Sequence, residues 1–421
     1  MSAVLDAIEV KKAGGTLDDD AIEAVVSAFT AGDVPDYQMS ALLMAIFLRG
    51  MAYDETLALT RTMADSGPRY SFPGCVDKHS TGGVGDKVTL TSMPIVAACG
   101  APVAKLSGRG LGVTGGTIDK FEAIPGFSMA LSDEQFRRQV DTVGIAIGEA
   151  GVLAPADKAI YALRDTTGTV DSMPLIGSSI VSKKAATGAG HLLYDVKRGT
   201  GAFMKTTEQA RELAQLLVRL SESMGIRASA LITDMDAPLG SAVGNALEVR
   251  ESVAFLRGEP TRDDLAEVAC DVAVRLLELT GAEAPREAVD RALGSGAAHD
   301  KLTELVRAQG GDVDRLEDLA VSAHVREVSA PAGGFVARFD ALGIGRASLA
   351  LGAGRQRKDD AIDPGAGVEL LVAVGDEVAA GQPVARLYGE REVARAVELA
   401  EGALELTPEP VTRSGHVLGS L

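Results

Sequence analysis

The run DKHSTGGVGDK, residues 77–87, sets Lys78, His79 and Ser80 directly ahead of three glycines, Gly82, Gly83 and Gly85. A glycine-rich turn exposes backbone N–H groups, and a neighbouring lysine adds positive charge, so the pattern suits an anion first. A second glycine-rich run, KLSGRGLGVTGGTIDKFE (105–122), carries Lys105, Ser107, Arg109, Thr114 and Thr117. Two such segments at adjacent strand ends can face each other and cradle a small tetrahedral oxyanion, which needs many donors and one or two cations. A third cluster holds Tyr161 and Arg164 in YALRD, then Ser179 and Lys183 in SIVSKK. Ser179 and Lys183 are four apart and share one face of a helix. Arginine, serine and lysine together supply donors suited to the carbonyl oxygens of a planar heterocycle.

Other anion-binding chemistries fit less well. A Walker loop needs Ser or Thr after Gly-Lys, whereas Gly85 is followed by Asp86 and Lys87 by Val88. GRGLGV lacks the last glycine of a dinucleotide fingerprint, and Val113 stands in its place. The net charge of −18 argues against nucleic-acid and anionic membrane surfaces, so an anionic substrate must be drawn in by a local basic pocket. Three cysteines, Cys75, Cys99 and Cys270, form no C-x-x-C pattern and fit reduced, buried thiols in a cytoplasm. No apolar run reaches membrane-spanning length, and early acidic residues make the N-terminus unlike a signal peptide. The expectation is a cytoplasmic protein without a nucleic-acid or membrane partner.

The elements that must position these residues change along the chain. Its 421 residues suggest roughly two to three domains. Residues 1 to about 65 read as helices, with DVPDYQMSALLMAIFLRGM placing Ala41, Met44, Ala45 and Leu48 at helical spacing. From about residue 70, short apolar runs and glycines alternate with helical stretches, the texture of α/β units. Ser132 followed by Gln135 is a capping-box pattern opening a helix. APADKAIYALRD and SSIVSKKAAT read as helices, HLLYDVKRGTGAF as a strand, TTEQARELAQLLVRLSESMG as an amphipathic helix and IRASALITDM as a strand. After about residue 329, APAGGFVARFDALGIGRASLALGAG and GVELLVAVGDEVAAGQPVARLYG read as glycine-punctuated, mostly β stretches. The second resembles the hairpin of biotinyl and lipoyl carrier domains, but the absence of lysine between Gly367 and Gly389 leaves a swinging-arm cofactor no attachment point.

In order along the chain, DKHSTGGVGDK, SGRGLGVTGGTIDKFEAIPGF, YALRD, SIVSKK, TDMDAPLGSAVGNALEV and the glycine-rich β tail resemble the thymidine and pyrimidine-nucleoside phosphorylase family. The resemblance runs from about residue 4 to the last residues. It implies an α/β fold with an all-α lobe, a larger α/β lobe and a C-terminal β-rich α+β region, in a homodimer formed through the helical domain. The domain parts would be 1–66 and 154–185 (helical), 67–153 and 186–328 (α/β) and 329–421 (C-terminal). A cleft would separate the lobes and close about hinges. By position, the resemblance assigns phosphate to Lys78, Ser80, Thr89, Lys105, Leu106, Ser107 and Thr117, and the pyrimidine to Arg164, Ser179 and Lys183. It implies no organic cofactor. In broad-specificity members it implies a potassium site, here at Gly85, Lys87, Leu239, Ala242 and Glu251, with Lys87 contributing through its main chain. One departure stands inside the signature: Val113 occupies the family's histidine position. Phe121 and Ala123 replace the usual Leu and Ser.

The implied reaction is phosphorolysis. Orthophosphate, the co-substrate, attacks C1′ of a uridine, thymidine or deoxyuridine from the face opposite the base, giving (deoxy)ribose 1-phosphate and free pyrimidine. His79 is the candidate acid for the leaving base, at its 2-carbonyl. Arg164 and Lys183 can also stabilise the departing base electrostatically without a dedicated acid. His191, His299, His324 and His416 lack such partners in sequence. Lys105 stands where strict thymidine phosphorylases carry methionine, which favours acceptance of uridine as well as thymidine. The competing readings are a strict thymidine phosphorylase, an anthranilate phosphoribosyltransferase-type enzyme using Mg²⁺, and a non-catalytic pyrimidine-binding protein.

Overall fold

The computed structural model describes residues 3–110, 113, 115–149, 151, 153–357, 360–412 and 415–421. Four helices come first: α1 (Ala3–Lys12), α2 (Asp19–Ala31), α3 (Asp36–Arg49) and α4 (Tyr53–Asp65). Next are β1 (Phe72–Ser80), α5 (Val88–Ala98), β2 (Val103–Ser107), α6 (Thr117–Glu122), α7 (Asp133–Val143) and β3 (Ile145–Glu149). The middle of the chain forms α8 (Pro155–Thr167), α9 (Met173–Thr187), β4 (Ala189–Arg198), α10 (Thr207–Ser223), β5 (Arg227–Asp234), β6 (Ala242–Val243) and α11 (Asn245–Leu256). Then follow α12 (Asp263–Thr280), α13 (Pro285–Gly294) and α14 (Ala297–Ala308). The last part holds β7 (Val325–Ser329), β8 (Gly334–Phe339), α15 (Ala341–Leu351), β9 (Gly367–Leu370), β10 (Glu377–Val378), β11 (Pro383–Tyr388), α16 (Val393–Ala403), β12 (Leu404–Thr407) and β13 (Val417–Ser420).

These elements form two compact units. The first comprises Met1–Cys75, Ala150–Leu192 and Glu212–Ala228, and the second comprises the rest. The helical unit thus includes chain beyond 1–66 and 154–185, and residues 329–421 fall in the same unit as the α/β elements. Helix boundaries follow local chemistry. Asp18 accepts a hydrogen bond from Ala21 N at the start of α2, and Gly32 ends it in the left-handed region at φ +86°. The Ser132–Gln135 capping box forms at the start of α7.

The core of the helical unit is built by Val4, Ile22, Val25, Phe29, Met39, Leu42, Leu43, Ile46 and Met63, with Ala156, Ile160 and Leu175 from the middle of the chain. Helix α3 forms where the apolar spacing places it, and it is apolar on two sides. Met39, Leu42, Leu43 and Ile46 are buried, whereas Met44 and Leu48 are exposed, Leu48 at 71%. Tyr37 and Phe47 are exposed on the same helix.

In the second unit a six-stranded sheet has the order β13-β5-β4-β1-β2-β3. β1, β2 and β3 are parallel, so each crossover carries helices, α5 for the first and α6–α7 for the second. β13 adds antiparallel to β5. Two smaller antiparallel arrays, β10-β8-β12 and β6-β9-β11-β7, complete the strands. The stretch read as mostly β around residue 345 is the helix α15, opened by Asp340, which accepts from Gly343 N at 2.9 Å. Its glycines serve packing rather than turning. A Cβ on Gly343 would lie 2.9 Å from that of Ala403, and one on Gly345 would lie 2.8 Å from a methyl of Val84.

Candidate active site

β1 ends in Lys78, His79 and Ser80, and the chain turns through residues 81–87 into α5. Gly82 and Gly85 sit at φ +92° and +70°, which side chains rarely tolerate. A Cβ on Gly85 would also fall 2.8 Å from Leu239 O, so the loop needs glycine there twice over. Asp86 Oδ1 accepts from Val88 N, the first residue of α5, at 3.2 Å, while Ser80 Oγ accepts from Gly82 N at 3.3 Å. Thr89 is buried in the first turn of α5. β2 lies beside β1 and brings Lys105, Leu106 and Ser107 to the same end of the sheet. Thr117 opens α6. Asp119, on that helix, accepts from Gly110 N at 2.8 Å and from Arg355 Nη1 at 2.7 Å, which pins the second glycine run. Thr114 lies outside the described residues. Val113 faces the C-terminal region, since a Cβ on Gly345 of α15 would lie 3.2 Å from the Val113 Cβ. Phe121 stacks on Phe127, with centroids 4.9 Å apart, which accounts for an aromatic ring at that position.

Lysines crowd beneath this loop. Lys105 Nζ donates to Lys78 O at 2.7 Å and lies 3.4 Å from Asp77 Oδ1, so it ties the end of β1 to β2 from below. Lys120 Nζ pairs with Glu248 Oε2 at 2.7 Å and donates to Asp86 O. Lys197 pairs with Asp195 Oδ2 at 2.7 Å, and Asp195 also accepts from Thr233 Oγ1 at 2.6 Å. Burial drives the Asp86 carboxyl upward, but the ammonium groups of Lys78, Lys197 and Lys120 outweigh it and hold the group well below the usual range. Lys78 is only 2% exposed. Burial pulls its pKa down, and the attraction of Asp86 and Asp195 does not restore it. Among the described residues, no group accepts a hydrogen bond from the Lys78 Nζ. Such an ammonium is chemically suited to an anion. His79 follows it, half-buried, with its ring edge-on to Tyr194 at 6.3 Å between centroids.

Lys120, Asp195 and Lys197 were not among the residues expected at this site from sequence. A signal existed for the last two: YDVKR puts opposite charges two apart in an apolar strand, so both share one buried face.

The five residues assigned to a potassium site do come together, with a different centre. Lys87 enters by its side chain rather than its main chain. Its Nζ donates to Leu239 O at 2.6 Å and Ala242 O at 3.0 Å, and lies 2.7 Å from Glu251 Oε2. Glu251 Oε1 accepts from Ser241 N and Oγ, both at 2.7 Å, and Oε2 from Ala242 N at 3.0 Å. Burial raises the Glu251 pKa, but Lys87 and these donors bring it below the usual value. The oxygens suited to a cation therefore already surround one, and they do not fit a second.

In the helical unit, α8 carries Asp157, Tyr161 and Arg164, and α9 carries Ser179 and Lys183. Lys183 Nζ donates to Asp157 Oδ2 at 2.7 Å and to Ser179 Oγ at 3.0 Å. Arg164 is buried and donates to Leu175 O at 2.9 Å, Val170 O at 2.7 Å and, through Nε, Thr169 O at 3.4 Å. Burial lowers its pKa, although an arginine remains charged. Three of its five N–H donors are thus engaged, leaving two for a ligand. The Tyr161 ring lies 5.5 Å from the Arg164 guanidinium carbon and 5.6 Å from Lys183 Nζ. Asp157, which the sequence reading did not single out, keeps Oδ1 buried without a hydrogen bond among the described residues. The cluster can therefore offer donors from Arg164 and Lys183 and an acceptor from Asp157. A pyrimidine, with its carbonyls and ring N–H, uses both kinds.

Residues 73–299 match the family model for the glycosyl transferase family a/b domain. Residues 5–67 match its helical bundle domain, and residues 335–407 match the pyrimidine nucleoside phosphorylase C-terminal domain. The chain is 49% identical over 402 residues to a thymidine phosphorylase of Mycobacterium tuberculosis, covering 94% of this chain and 93% of the relative. It is 45% identical over 401 residues to a pyrimidine-nucleoside phosphorylase of Bacillus subtilis, covering 92% of each. The fold also matches an anthranilate phosphoribosyltransferase from Thermus thermophilus at a TM-score of 0.58 and 21% identity, over 73% of this chain and 99% of that one. With relatives this similar along nearly its whole length, and with the helical bundle, a/b and C-terminal domain models matched in turn, the chain belongs to the thymidine and pyrimidine-nucleoside phosphorylase family.

Proposed function

We propose that the protein catalyses reversible phosphorolysis of pyrimidine nucleosides. The observation that carries this reading is Lys78, a buried ammonium beside two glycine runs whose carboxylate neighbours do not compensate its burial. Orthophosphate fits that deficit. One phosphate oxygen forms a bond to C1′ while the C1′–N1 bond breaks, and its electron pair leaves with the base. Arg164 and Lys183 receive the charge that develops on the base. His79 delivers a proton to the base at its 2-carbonyl. Lys105 acts through the Lys78 carbonyl to which it donates, holding the phosphate lysine in place. The reading requires the phosphate and base clusters to engage one nucleoside, which removes part of the barrier by positioning alone.

The test is release of uracil or thymine from nucleoside that depends on added phosphate. Release without phosphate, or binding without release, would sink the reading. His79→Gln should lower kcat at least about tenfold, and less for bases that leave easily as anions. Equal losses for good and poor leaving groups would reduce His79 to positioning.

Acceptance of both ribose and deoxyribose is the broader form of the proposal, supported by the pyrimidine-nucleoside phosphorylase names of several relatives. A preference for thymidine over uridine above about a thousandfold in kcat/KM, roughly 4 kcal/mol, would make the enzyme a strict thymidine phosphorylase. The protein acts as a homodimer through the helical unit, where Tyr37, Met44, Phe47 and Leu48 present an apolar face. Leu48→Asp should give a monomer in sedimentation, and an unchanged dimer would place the interface elsewhere. The cytoplasm is the compartment that suits its free cysteines, Cys75, Cys99 and Cys270.

A further inference from the structure

We propose that the Lys87 ammonium is itself the monovalent cation of this fold, so that the enzyme needs no potassium. The inference rests on the geometry of one cluster. Lys87 is fully buried, and its three N–H donors meet three oxygens: Leu239 O at 2.6 Å, Ala242 O at 3.0 Å and Glu251 Oε2 at 2.7 Å. A lysine ammonium has three donors and no more, so the coordination is complete. The charges also close, because one buried carboxylate faces one buried ammonium. A potassium ion among the same oxygens would add an uncompensated positive charge within contact of the first. Space is short as well. A Cβ on Gly240 would already lie 2.8 Å from Lys87 Nζ, and one on Gly85 would lie 2.8 Å from Leu239 O.

The tethered cation does what a bound ion would do for the glycine loop. Lys87 follows that loop directly and is the residue before α5. Its bonds fasten the loop to segment 239–242 and, through Glu251, to α11, while Leu239 N donates to Val84 O at 3.1 Å. A bound ion can be lost by dilution; an ammonium on the chain cannot.

The experiment compares melting temperatures in potassium chloride, sodium chloride and choline chloride at equal ionic strength, with phosphorolysis followed alongside. The wild-type protein should melt at the same temperature in all three. A saturable rise specific to potassium in the wild type would overturn the proposal, whatever the activity proves to be. Lys87→Thr removes the ammonium and leaves a hydroxyl and space beside Glu251. It should melt roughly 5–10 °C lower in choline. Potassium should restore it along a saturable curve. If this variant folds but melts equally low in potassium and in choline, the oxygens are not a cation site and the proposal falls. Should the variant fail to fold, the wild-type comparison still decides.

Discussion

Around the glycine loop, lysines are locked before any ligand arrives: Lys87 to Glu251, Lys120 to Glu248, Lys197 to Asp195 and Lys105 to the Lys78 carbonyl. In the helical unit the cluster of Asp157, Arg164 and Lys183 is looser. Lys183 is 37% exposed along its side chain, Arg164 keeps two N–H groups, and Asp157 keeps a bare oxygen. The difference follows from the ligands these clusters suit. A small, strongly hydrated anion must be stripped of water, and only a rigid set of dipoles that needs no reorganisation compensates for that. A neutral heterocycle is held by matching donors and acceptors, which can be left waiting. The first cluster is therefore tied to stability, and the second mainly to binding.

The sharpest way to break this contrast is to unpair a buried charge in the rigid cluster. Lys120→Met leaves Glu248 buried without its ammonium and should cost about 3–5 kcal/mol of unfolding free energy in urea titration. Lys183→Met removes an ammonium that is itself 37% exposed, and should cost less, about 1–3 kcal/mol, because Asp157 is left buried without its partner. Equal losses would erase the distinction.

Kinetics should separate the clusters next. Lys78→Ala should raise the phosphate KM roughly 10–150-fold, and Lys183→Ala the nucleoside KM by a similar factor, with little crossing over. If both variants weaken both substrates alike, the assignment fails.

A third effect is pH-dependent. Burial sets the Lys78 pKa below its usual 10.5, and a bound phosphate would raise it again. Binding then takes up a proton whenever the pH exceeds the free-state pKa. Phosphate affinity should be flat below that value and fall above it, by up to about tenfold per pH unit, until the bound-state pKa is passed. Lys78→Met, which retains phosphate's own ionisation, should lose this slope, and a persisting slope would assign it to another group.

The smallest change should come from Arg109, whose pair with Glu122 at 2.6 Å is well exposed. Arg109→Ala should alter stability by less than about 1 kcal/mol. A larger loss would extend the rigid cluster to the surface.

Much of this was legible in the residues. The order of helices and strands followed from caps and periodicity, as at Ser132 and through α10. Lys78, Ser80, Lys105 and Ser107 were visible as donors beside glycines. Helix α3 was legible as a helix, but Met39, Leu42, Leu43 and Ile46 form one apolar stripe and Met44, Phe47 and Leu48 contribute to another, and spacing alone does not say which faces inward. α15 misled because its glycines looked like turns, whereas they admit Val84 and Ala403 at close range. The partners Glu248, Glu251 and Asp157 could not be paired from sequence, because they meet their lysines only after the chain has folded back on itself, over more than a hundred and sixty residues for Lys87–Glu251.

The helical unit is assembled from three separate stretches, Met1–Cys75, Ala150–Leu192 and Glu212–Ala228. Its core joins Val4 to Leu175, and Ser66 Oγ accepts from Ala156 N at 3.1 Å. During synthesis on a ribosome, the first four helices therefore emerge with their apolar faces bare and must wait while β1 through β3 are made. Only when α8 and α9 have left the exit tunnel can that core close. Nascent protein of this kind spends its early life as a partly open bundle, a natural client for holding chaperones. Swapping the order of the stretches by circular permutation would change its birth more than its final form.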